Sequence, residues 1–398
     1  MTGKAPHIMI LTGEPSGDFH AGPLIRALKE LTPDAHISGI GGPVMTAQGA
    51  DVFFPIERLS AMGIIQVVRQ FSSIKTAFHL VKERVTHDPP DLVVLIDYPG
   101  FNLKVARYIK EHTRIPVCYY IAPKVWAWNS ARLKKIKAYT DHVALILPFE
   151  QSIYKKEKIT ATYVGNPLMD EYAHSLAHRP GALDTSGAAG GPVIGLLPGS
   201  RSSEIENLLP VMLDTAMKIQ SGHPGARFMI SAASDKQADQ IQCILETHDA
   251  PPCEVIQGRP ITIFNKARML IAASGTVTLE AALCALPTIL VYRVSPLTYA
   301  LAKLLVKVKY VGLANLIAGE PVMPELLQSD ANPETISRAA FQMLDDPDHY
   351  RKKLEIVRRR LGTPGAPKRT ARIILSMISG LTKTKPSETA ENTPGSEG

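Results

Sequence analysis

Residues 8–31 read IMILTGEPSGDFHAGPLIRALKEL, and this stretch decides the fold class. Four consecutive apolar residues, Ile8 to Leu11, predict a buried strand, and the apolar positions from Ala21 to Leu31 recur at helical spacing. The loop from Gly13 to Asp18 joins the two elements. A strand, a short loop and a helix make up the repeating unit of a parallel sheet that is covered on both faces by helices.

The same alternation runs through both halves of the chain. Further apolar runs that predict strands are Leu92 to Ile96, Val117 to Ile121, His142 to Leu147, Val193 to Leu197, Arg227 to Ile230, Glu254 to Ile256, Met269 to Ala272 and Thr288 to Val291. We therefore predict two Rossmann-like, doubly wound α/β domains, with a ligand cleft between the carboxyl ends of their sheets.

The domain boundaries are predicted from changes in composition. The first domain covers 1–175, and a linker without periodicity covers 176–192. The second domain covers 193–345, and helices rich in arginine and lysine cover 346–381. The tail, 382–398, offers almost nothing to bury, so we expect it to be disordered.

Composition restricts the class of protein. The 398 residues carry a formal net charge of +7, which suits an anionic partner such as a phosphorylated lipid, anionic headgroups or nucleic acid. Nucleic acid is disfavoured because the sequence has neither zinc-finger spacing nor an RNA-binding aromatic signature. Its four cysteines form no Cys-x-x-Cys pair, so we expect a reducing compartment and no metal site.

We expect a cytoplasmic protein, because the apolar run Ile8 to Leu11 is too short for the core of a signal peptide. Polar residues interrupt the most apolar region, 269–292, which argues against a transmembrane helix. Two segments, 59–81 and 292–310, combine apolar stripes with basic residues. Each fits either a helix at a membrane surface or a core helix flanked by lysines, so membrane contact would be peripheral.

Carboxylates follow two of the predicted strands in the first half. Glu14 and Asp18 lie in the first loop, where paired acids would repel a dinucleotide pyrophosphate; the alternative is a turn in which Ser16 or Asp18 caps the helix. Asp97 ends another strand and is a candidate general base for a sugar hydroxyl. Its alternative role is to cap the following helix. The tryptophan loop after the next strand, with Trp126, fits a sugar or acyl pocket or the core.

The second half has two candidate anion sites, each between a strand and a helix. One contains Ser200 and Arg201, whose guanidinium would lie beside backbone N–H groups at a helix N-terminus. The other contains Ser274, Gly275 and Thr276. Glu280 follows on the same helix and could accept both ribose hydroxyls, although a solvated helix acid is the simpler interpretation. Together these features predict a pocket for a nucleoside diphosphate.

Six short motifs occur in the order found in the lipid-A-disaccharide synthase family, which the chain resembles from about Ile8 to Gln328. They are Gly13 to Asp18, Asp97 to Asn102, Val125 to Trp128, Leu197 to Arg201, Ser274 to Glu280, and Asn315-Leu316. The resemblance implies a GT-B glycosyltransferase without a metal or other cofactor. The donor would be UDP-2,3-diacylglucosamine, the acceptor 2,3-diacylglucosamine 1-phosphate, and the products a β-1,6-linked disaccharide and UDP.

The resemblance also assigns roles to individual residues. It implies that Asp97 is the general base, Arg201 the diphosphate contact and Glu280 the ribose contact, with Asn315 at the donor site. Glu14, Ser16, Asp18 and Trp126 would lie on the acceptor side. It further implies association with the inner face of the cytoplasmic membrane, and the sequence leaves a homodimer open.

Three positions depart from the family pattern. Gln66 stands where a glutamate is common, Asn166 where a histidine is often found, and Gly100 where some members have an acid. Two rival functions are a soluble enzyme acting on UDP-N-acetylglucosamine, such as a 2-epimerase, and a non-catalytic lipid- or nucleotide-binding protein.

Overall fold

The computed structural model describes residues 5–59, 64–125, 131–172, 191–294, 299 and 309–382. Its first sheet has seven parallel strands in the order β3-β2-β1-β4-β5-β6-β7. These strands are β1 His7–Leu11, β2 His36–Gly41, β3 Asp51–Pro55, β4 Leu92–Ile96, β5 Val117–Tyr120, β6 His142–Leu145 and β7 Ala161–Tyr163. The helices described with it are α1 Pro15–Leu31, α2 Pro43–Ala47, α3 Ile64–His87, α4 Pro99–His112, α5 Ala131–Tyr139, α6 Glu150–Lys156 and α7 Pro167–Glu171.

The second sheet repeats this strand order with six parallel strands, β10-β9-β8-β11-β12-β13. They are β8 Val193–Leu197, β9 Arg227–Ala232, β10 Cys253–Gln257, β11 Met269–Ala273, β12 Thr288–Tyr292 and β13 Glu325–Leu327. Its helices are α8 Ser202–Gly222, α9 Asp235–Thr247, α10 Ile261–Lys266, α11 Thr276–Leu283, α12 Leu313–Ala318, α13 Pro333–Asp345 and α14 Pro347–Leu361. The last helix, α15, runs from Ala366 to Thr382.

Strand order reverses once in each sheet, and these two switch points position the candidate site. In the first sheet β1 pairs with both β2 and β4, with Ile8 opposite Leu92. In the second sheet β8 pairs with β9 and β11, with Ile194 opposite Met269. Helices leave opposite faces of the sheet at a reversal, so a crevice opens at the carboxyl ends of the strands. The loops after β1, β4, β8 and β11 therefore face the ligand.

Buried apolar side chains cover both faces of each sheet. In β1, Met9 and Leu11 pack on one face, and Ile8 and Ile10 pack on the other. The strands are continuous apolar runs for this reason. A further cluster joins the halves, because Leu168, Met169 and Tyr172 pack with Leu279 and other residues of the second half.

The C-terminal helical region predicted over 346–381 consists of two helices. It breaks into α14 and α15 because Gly362 and Gly365 adopt φ values of +78° and +109°, with Pro364 between them. Helix α15 then crosses to the first half and packs against α1. The junction is fixed by Asp170, which accepts hydrogen bonds from the N–H groups of Gly365 and Ala366 at 2.6 and 3.2 Å.

The strands predicted from apolar runs are confirmed, with ends that differ by two residues or fewer. Four strands lie outside these apolar runs: β2, which has two glycines among its six residues, and β3, β7 and β13, which are short edge strands with mixed exposure. Most of the predicted linker and all but the first residue of the predicted tail lie outside the described residues. Within the described part of the chain, no helix has the length and apolar character needed to cross a bilayer.

Candidate active site at the two switch points

A cavity of about 880 Å³ follows the carboxyl edge of the second sheet. Its wall includes both predicted anion sites, with Gly199, Ser200 and Arg201 after β8, and Ser274, Gly275 and Thr276 at the start of α11. Lys124, from the loop after β5, joins the wall from the first half. The cavity therefore lies between the two sheets.

The turn after β8 is shaped by Glu204. Its Oε2 accepts hydrogen bonds from the backbone N–H groups of Ser200 and Arg201, at 3.0 and 3.2 Å. Gly199 allows this with a φ of +115°, where a Cβ would approach Glu204 Oε2 to 2.4 Å. The expectation of free backbone N–H groups beside Arg201 is therefore wrong, because a carboxylate already occupies them.

The Arg201 side chain itself remains accessible. Its exposed fraction is 75%, although Nη1 lies 2.7 Å from Glu204 Oε1. A guanidinium has five N–H donors, so this ion pair leaves donors for a ligand. The arginine can therefore contact a phosphate through its side chain.

The start of α11 forms the second anion site. Gly275 has an extended backbone, with φ 174°, and no atom lies within 4 Å of the position that a Cβ would occupy. The first N–H groups of a helix have no partner within the helix and carry a partial positive charge. Open space at Gly275 lets an anion approach these groups closely.

Asp97 lies at the switch point of the first sheet in strained backbone. Asp97 and Tyr98 both adopt left-handed conformations, with φ values of 46° and 44°. The carbonyl of Asp97 accepts hydrogen bonds from Asn102 Nδ2 at 2.7 Å and Tyr119 Oη at 2.8 Å. Such conformations cost about 1–3 kcal/mol each and are typical of functional sites.

The carboxyl of Asp97 has the electrostatics of a base. Burial raises its pKa above the ordinary value, opposed by the backbone N–H of Tyr98 and by the charge of Lys124. It does not accept a hydrogen bond as a helix cap, since α4 begins after Tyr98 without a side-chain cap. A partly desolvated carboxylate with a raised pKa is a stronger proton acceptor.

Charge interactions link the two switch points. Burial raises the pKa of Glu14, the negative charge of Asp97 raises it further, and Arg201 lowers it. Glu14 therefore lies close enough to feel both Asp97 and Arg201. The structure thus brings together the predicted base, an acid from the first loop and the predicted diphosphate contact.

Glu280 and Asn315 lie behind the cavity wall. Glu280 Oε2 accepts a hydrogen bond from Tyr172 Oη at 2.6 Å, and burial raises its pKa. Asn315 is buried and bonded on both ends of its amide, accepting from the N–H of Val322 and donating to Glu325 Oε1, each at 2.8 Å. Through its Nδ2 hydrogen bond, Asn315 holds Glu325, which lines the cavity.

The predicted acceptor-side residues divide into three groups. Asp18 is buried and accepts hydrogen bonds from the N–H groups of Gly42, Val44 and Met45, at 2.8, 3.0 and 3.1 Å, so it fixes the start of α2. The alternative in which Asp18 or Ser16 caps α1 is wrong, because α1 has no side-chain cap. Glu14 and Ser16 are exposed at its start, and Trp126 lies outside the described residues.

Two of the three departures from the family pattern have a structural account. Asn166 Oδ1 accepts a hydrogen bond from the N–H of Leu168 at 3.0 Å, and its Nδ2 donates to the Ile146 carbonyl at 3.1 Å. Asn166 therefore caps α7. Gly100 faces open space, so a side chain would fit there. The side chain of Gln66 is not described.

Sequence reasoning missed several wall residues. Lys124 stands in the tryptophan loop, and its position after a strand was the available signal. Glu325 begins β13 and Gln328 directly follows it, and this three-residue strand has no clear apolar run. Among the described residues, no group of three histidine, cysteine or acidic side chains is arranged to hold a metal ion.

Comparison with known proteins identifies relatives over nearly the whole chain. The family model for lipid-A-disaccharide synthetase matches residues 8–369. A lipid-A-disaccharide synthase from Trichlorobacter lovleyi is 40% identical over 383 residues, covering 94% of this chain and 98% of that protein.

Solved structures share the architecture at low sequence identity. A UDP-N-acetylglucosamine 2-epimerase described as putative, from Listeria monocytogenes, superposes with a TM-score of 0.65 at 12% identity, covering 96% of this chain and 98% of that one. The Acinetobacter baumannii MurG structure gives 0.57 at 15% identity, covering 94% and 100%. These likenesses establish the GT-B fold, and at this identity they carry no argument about substrate.

Proposed function

This chain belongs to the lipid-A-disaccharide synthase family, and we propose that it transfers 2,3-diacylglucosamine from UDP-2,3-diacylglucosamine to 2,3-diacylglucosamine 1-phosphate. The products are a β-1,6-linked disaccharide and UDP. The protein is a GT-B glycosyltransferase of lipid A biosynthesis.

One arrangement carries the proposed mechanism: Asp97 follows β4 at the first switch point, Arg201 lies in the loop after β8 at the second, and the charge of Glu14 interacts with both. Inverting transfer requires this arrangement, because the nucleophile enters the face of the sugar opposite the leaving group. The acceptor hydroxyl and the diphosphate would then occupy the two sides of the cleft.

The reaction would be a single displacement. Asp97 accepts the proton of the acceptor 6-hydroxyl while that oxygen forms a bond to C1 of the donor sugar. The bond from C1 to the diphosphate oxygen breaks, and UDP leaves with its electron pair. Arg201 and the N-terminus of α11 stabilise the charge that develops on the diphosphate.

The ribose of UDP would lie next to the diphosphate, one helical turn further along α11. Thr276 lines the cavity, and Glu280 follows four residues later on the same face of the helix. Because Tyr172 occupies Glu280 Oε2, a ribose hydroxyl would use the other carboxylate oxygen or displace the tyrosine. Asn315 would act through Glu325.

The acceptor would bind beside the first loop, where Glu14 and Ser16 are exposed. We also propose peripheral contact with the inner face of the cytoplasmic membrane, since both substrates carry acyl chains. The candidate contact segments are 59–81 and 292–310, and a homodimer is part of the proposal.

The deciding experiment measures UDP release by the purified protein. UDP-2,3-diacylglucosamine is supplied with and without 2,3-diacylglucosamine 1-phosphate, and UDP-N-acetylglucosamine serves as the control donor. Acceptor-dependent release with a disaccharide product is expected. Conversion of the water-soluble sugar nucleotide without use of the lipid donor would overturn the proposal.

A further inference from the structure

Lys124 belongs to the first half of the chain but lines the cavity at the carboxyl edge of the second sheet. Among the described residues, it is the only one of the first half that lines the cavity. Its loop is anchored by the buried side chains of Ala122, Pro123 and Val125, whereas Lys124 is solvent-accessible. The anchored neighbours hold the ammonium group at the cavity wall.

Two carboxylates of the first half, those of Asp97 and Glu150, interact with Lys124. Burial by the surrounding protein lowers its pKa, and the carboxylates of Asp97 and Glu150 oppose that effect. It forms no ion pair with any residue that the structure describes. Lys124 therefore interacts with two acids of the first half and also lines the cavity.

The remaining charged groups of the wall favour an anionic ligand. Glu204 and Glu325 are both occupied by backbone N–H donors, at the turn after β8 and at the start of α12. The cations are Arg201, Lys309 and Lys124. A lysine ammonium is a compact point charge that suits phosphate oxygens, and Lys124 lines the same cavity as the anion site formed by Gly275 and Thr276.

We propose that Lys124 contacts the diphosphate of the donor nucleotide from the acceptor side of the cleft, completing a clamp whose other members are Arg201 and the N-terminus of α11. This inference rests on the proposed function. It assigns the phosphate to the donor because Lys124 shares one cavity wall with both anion sites.

The contact has a consequence for the base. Asp97 is faced by Glu14 from the loop after β1, Tyr98 from its own loop, Tyr119 from β5 and Lys124 from the next loop. Among these groups only Lys124 carries a positive charge, and its charge lowers the pKa of Asp97. Removing that charge raises the pKa, so the acidic limb of the pH profile moves to higher pH.

Calorimetry on the full chain tests the contact directly. Lys124→Met should weaken UDP binding about ten-fold or more, the range for a lost charge-assisted hydrogen bond, while uridine binding changes less than about two-fold. Lys124→Arg should recover part of the UDP affinity. Lys104→Met, at an exposed position on α4, is the matched control. Unchanged UDP affinity in Lys124→Met, with uridine binding intact, would overturn the proposal.

Kinetic measurements distinguish whether Lys124 binds the diphosphate of the donor or the 1-phosphate of the acceptor. If Lys124→Met leaves UDP affinity unchanged but raises KM for the acceptor, the lysine binds the acceptor 1-phosphate and the donor assignment is wrong. A purely structural role would leave the acidic limb of kcat/KM at the wild-type pH, which would also count against the proposal. If the wild-type protein forms no disaccharide, the proposed reaction fails while the UDP comparison still decides the Lys124 contact.

Discussion

The two switch points have the same topology and opposite chemistry. In the first sheet, the loops after β1 and β4 present the carboxylates of Glu14 and Asp97, both with raised pKa values. In the second sheet, the loops after β8 and β11 present Arg201 and an open helix N-terminus at Gly275. Identical strand orders therefore support a proton-accepting side and an anion-binding side.

The backbone conformations at the two switch points also differ, in a way that matches their chemistry. At the switch point of the first sheet, strain falls on two residues with side chains, Asp97 and Tyr98, and the carbonyl of Asp97 is fixed by Asn102 and Tyr119. At the switch point of the second sheet, the left-handed residue in the loop after β8 is a glycine, Gly199. A base must be held in one orientation, whereas a phosphate site needs close approach to the backbone, and each loop has the residues that its task requires.

Asp97→Asn should produce the largest effect. We expect kcat to fall about 100-fold or more, the usual contribution of a general base, with the Kd for UDP unchanged because the amide keeps the shape of the acid. Steady-state kinetics measures kcat, which reports on the proton-accepting side, and calorimetry measures the Kd for UDP, which reports on the anion-binding side. Asp34→Asn, at an exposed turn of the same half, is the control, and a rate near that of the wild type would remove Asp97 from the mechanism.

Gly199→Ala should lower the free energy of unfolding by about 1–3 kcal/mol, since a side chain there is strained and overlaps Glu204. Gly275→Ala is the matched variant. Its backbone is extended and its surroundings are open, so the change should stay within about 0.5 kcal/mol. Urea unfolding measures both, and equal destabilisation would show that the two glycines serve the same purpose.

Arg201→Ala should weaken UDP binding about ten-fold, because one charge-assisted contact to phosphate is lost. Arg227→Ala, an exposed arginine at the start of β9, should leave the dissociation constant unchanged. Calorimetry with UDP and with uridine, which lacks the diphosphate, shows whether the lost contact is to the diphosphate. An equal loss for both ligands would move Arg201 away from the diphosphate.

The smallest effect concerns stability. Because burial raises the pKa of Asp97, the folded protein carries the cost of a buried carboxylate whenever the group is ionised. Asp97→Asn should therefore raise Tm slightly at neutral pH. The difference should vanish below the ordinary pKa of aspartate, where the folded and unfolded states are both protonated, grow between the ordinary and the raised pKa, and stay constant above the raised pKa. A lower Tm for the variant at pH 7 would contradict this account.

Sequence patterns predicted the strands that lie at the centre of each sheet, because these are buried on both faces and read as continuous apolar runs. They did not predict β13, whose three residues are only partly buried, and so missed Glu325 and Gln328. Charged residues and glycines that follow the predicted strands indicated Asp97, Arg201 and Gly275 as site residues. The partners of these residues could not be predicted, since the contact of Glu204 with the turn after β8 and that of Tyr172 with Glu280 depend on tertiary packing.

The crossing of α15 back to α1 has a consequence for biosynthesis. Gly362 and Gly365 direct the last described helix to the first half, where Ala371 and Ile374 fill the same core as Ile8 and Ile10. A ribosome synthesises the entire second half before it reaches this helix, and domains otherwise tend to fold in order of synthesis. The core of the half that is made first is therefore completed only after the second half has been made, and part of an apolar face of its first sheet stays unfilled until α15 has been synthesised.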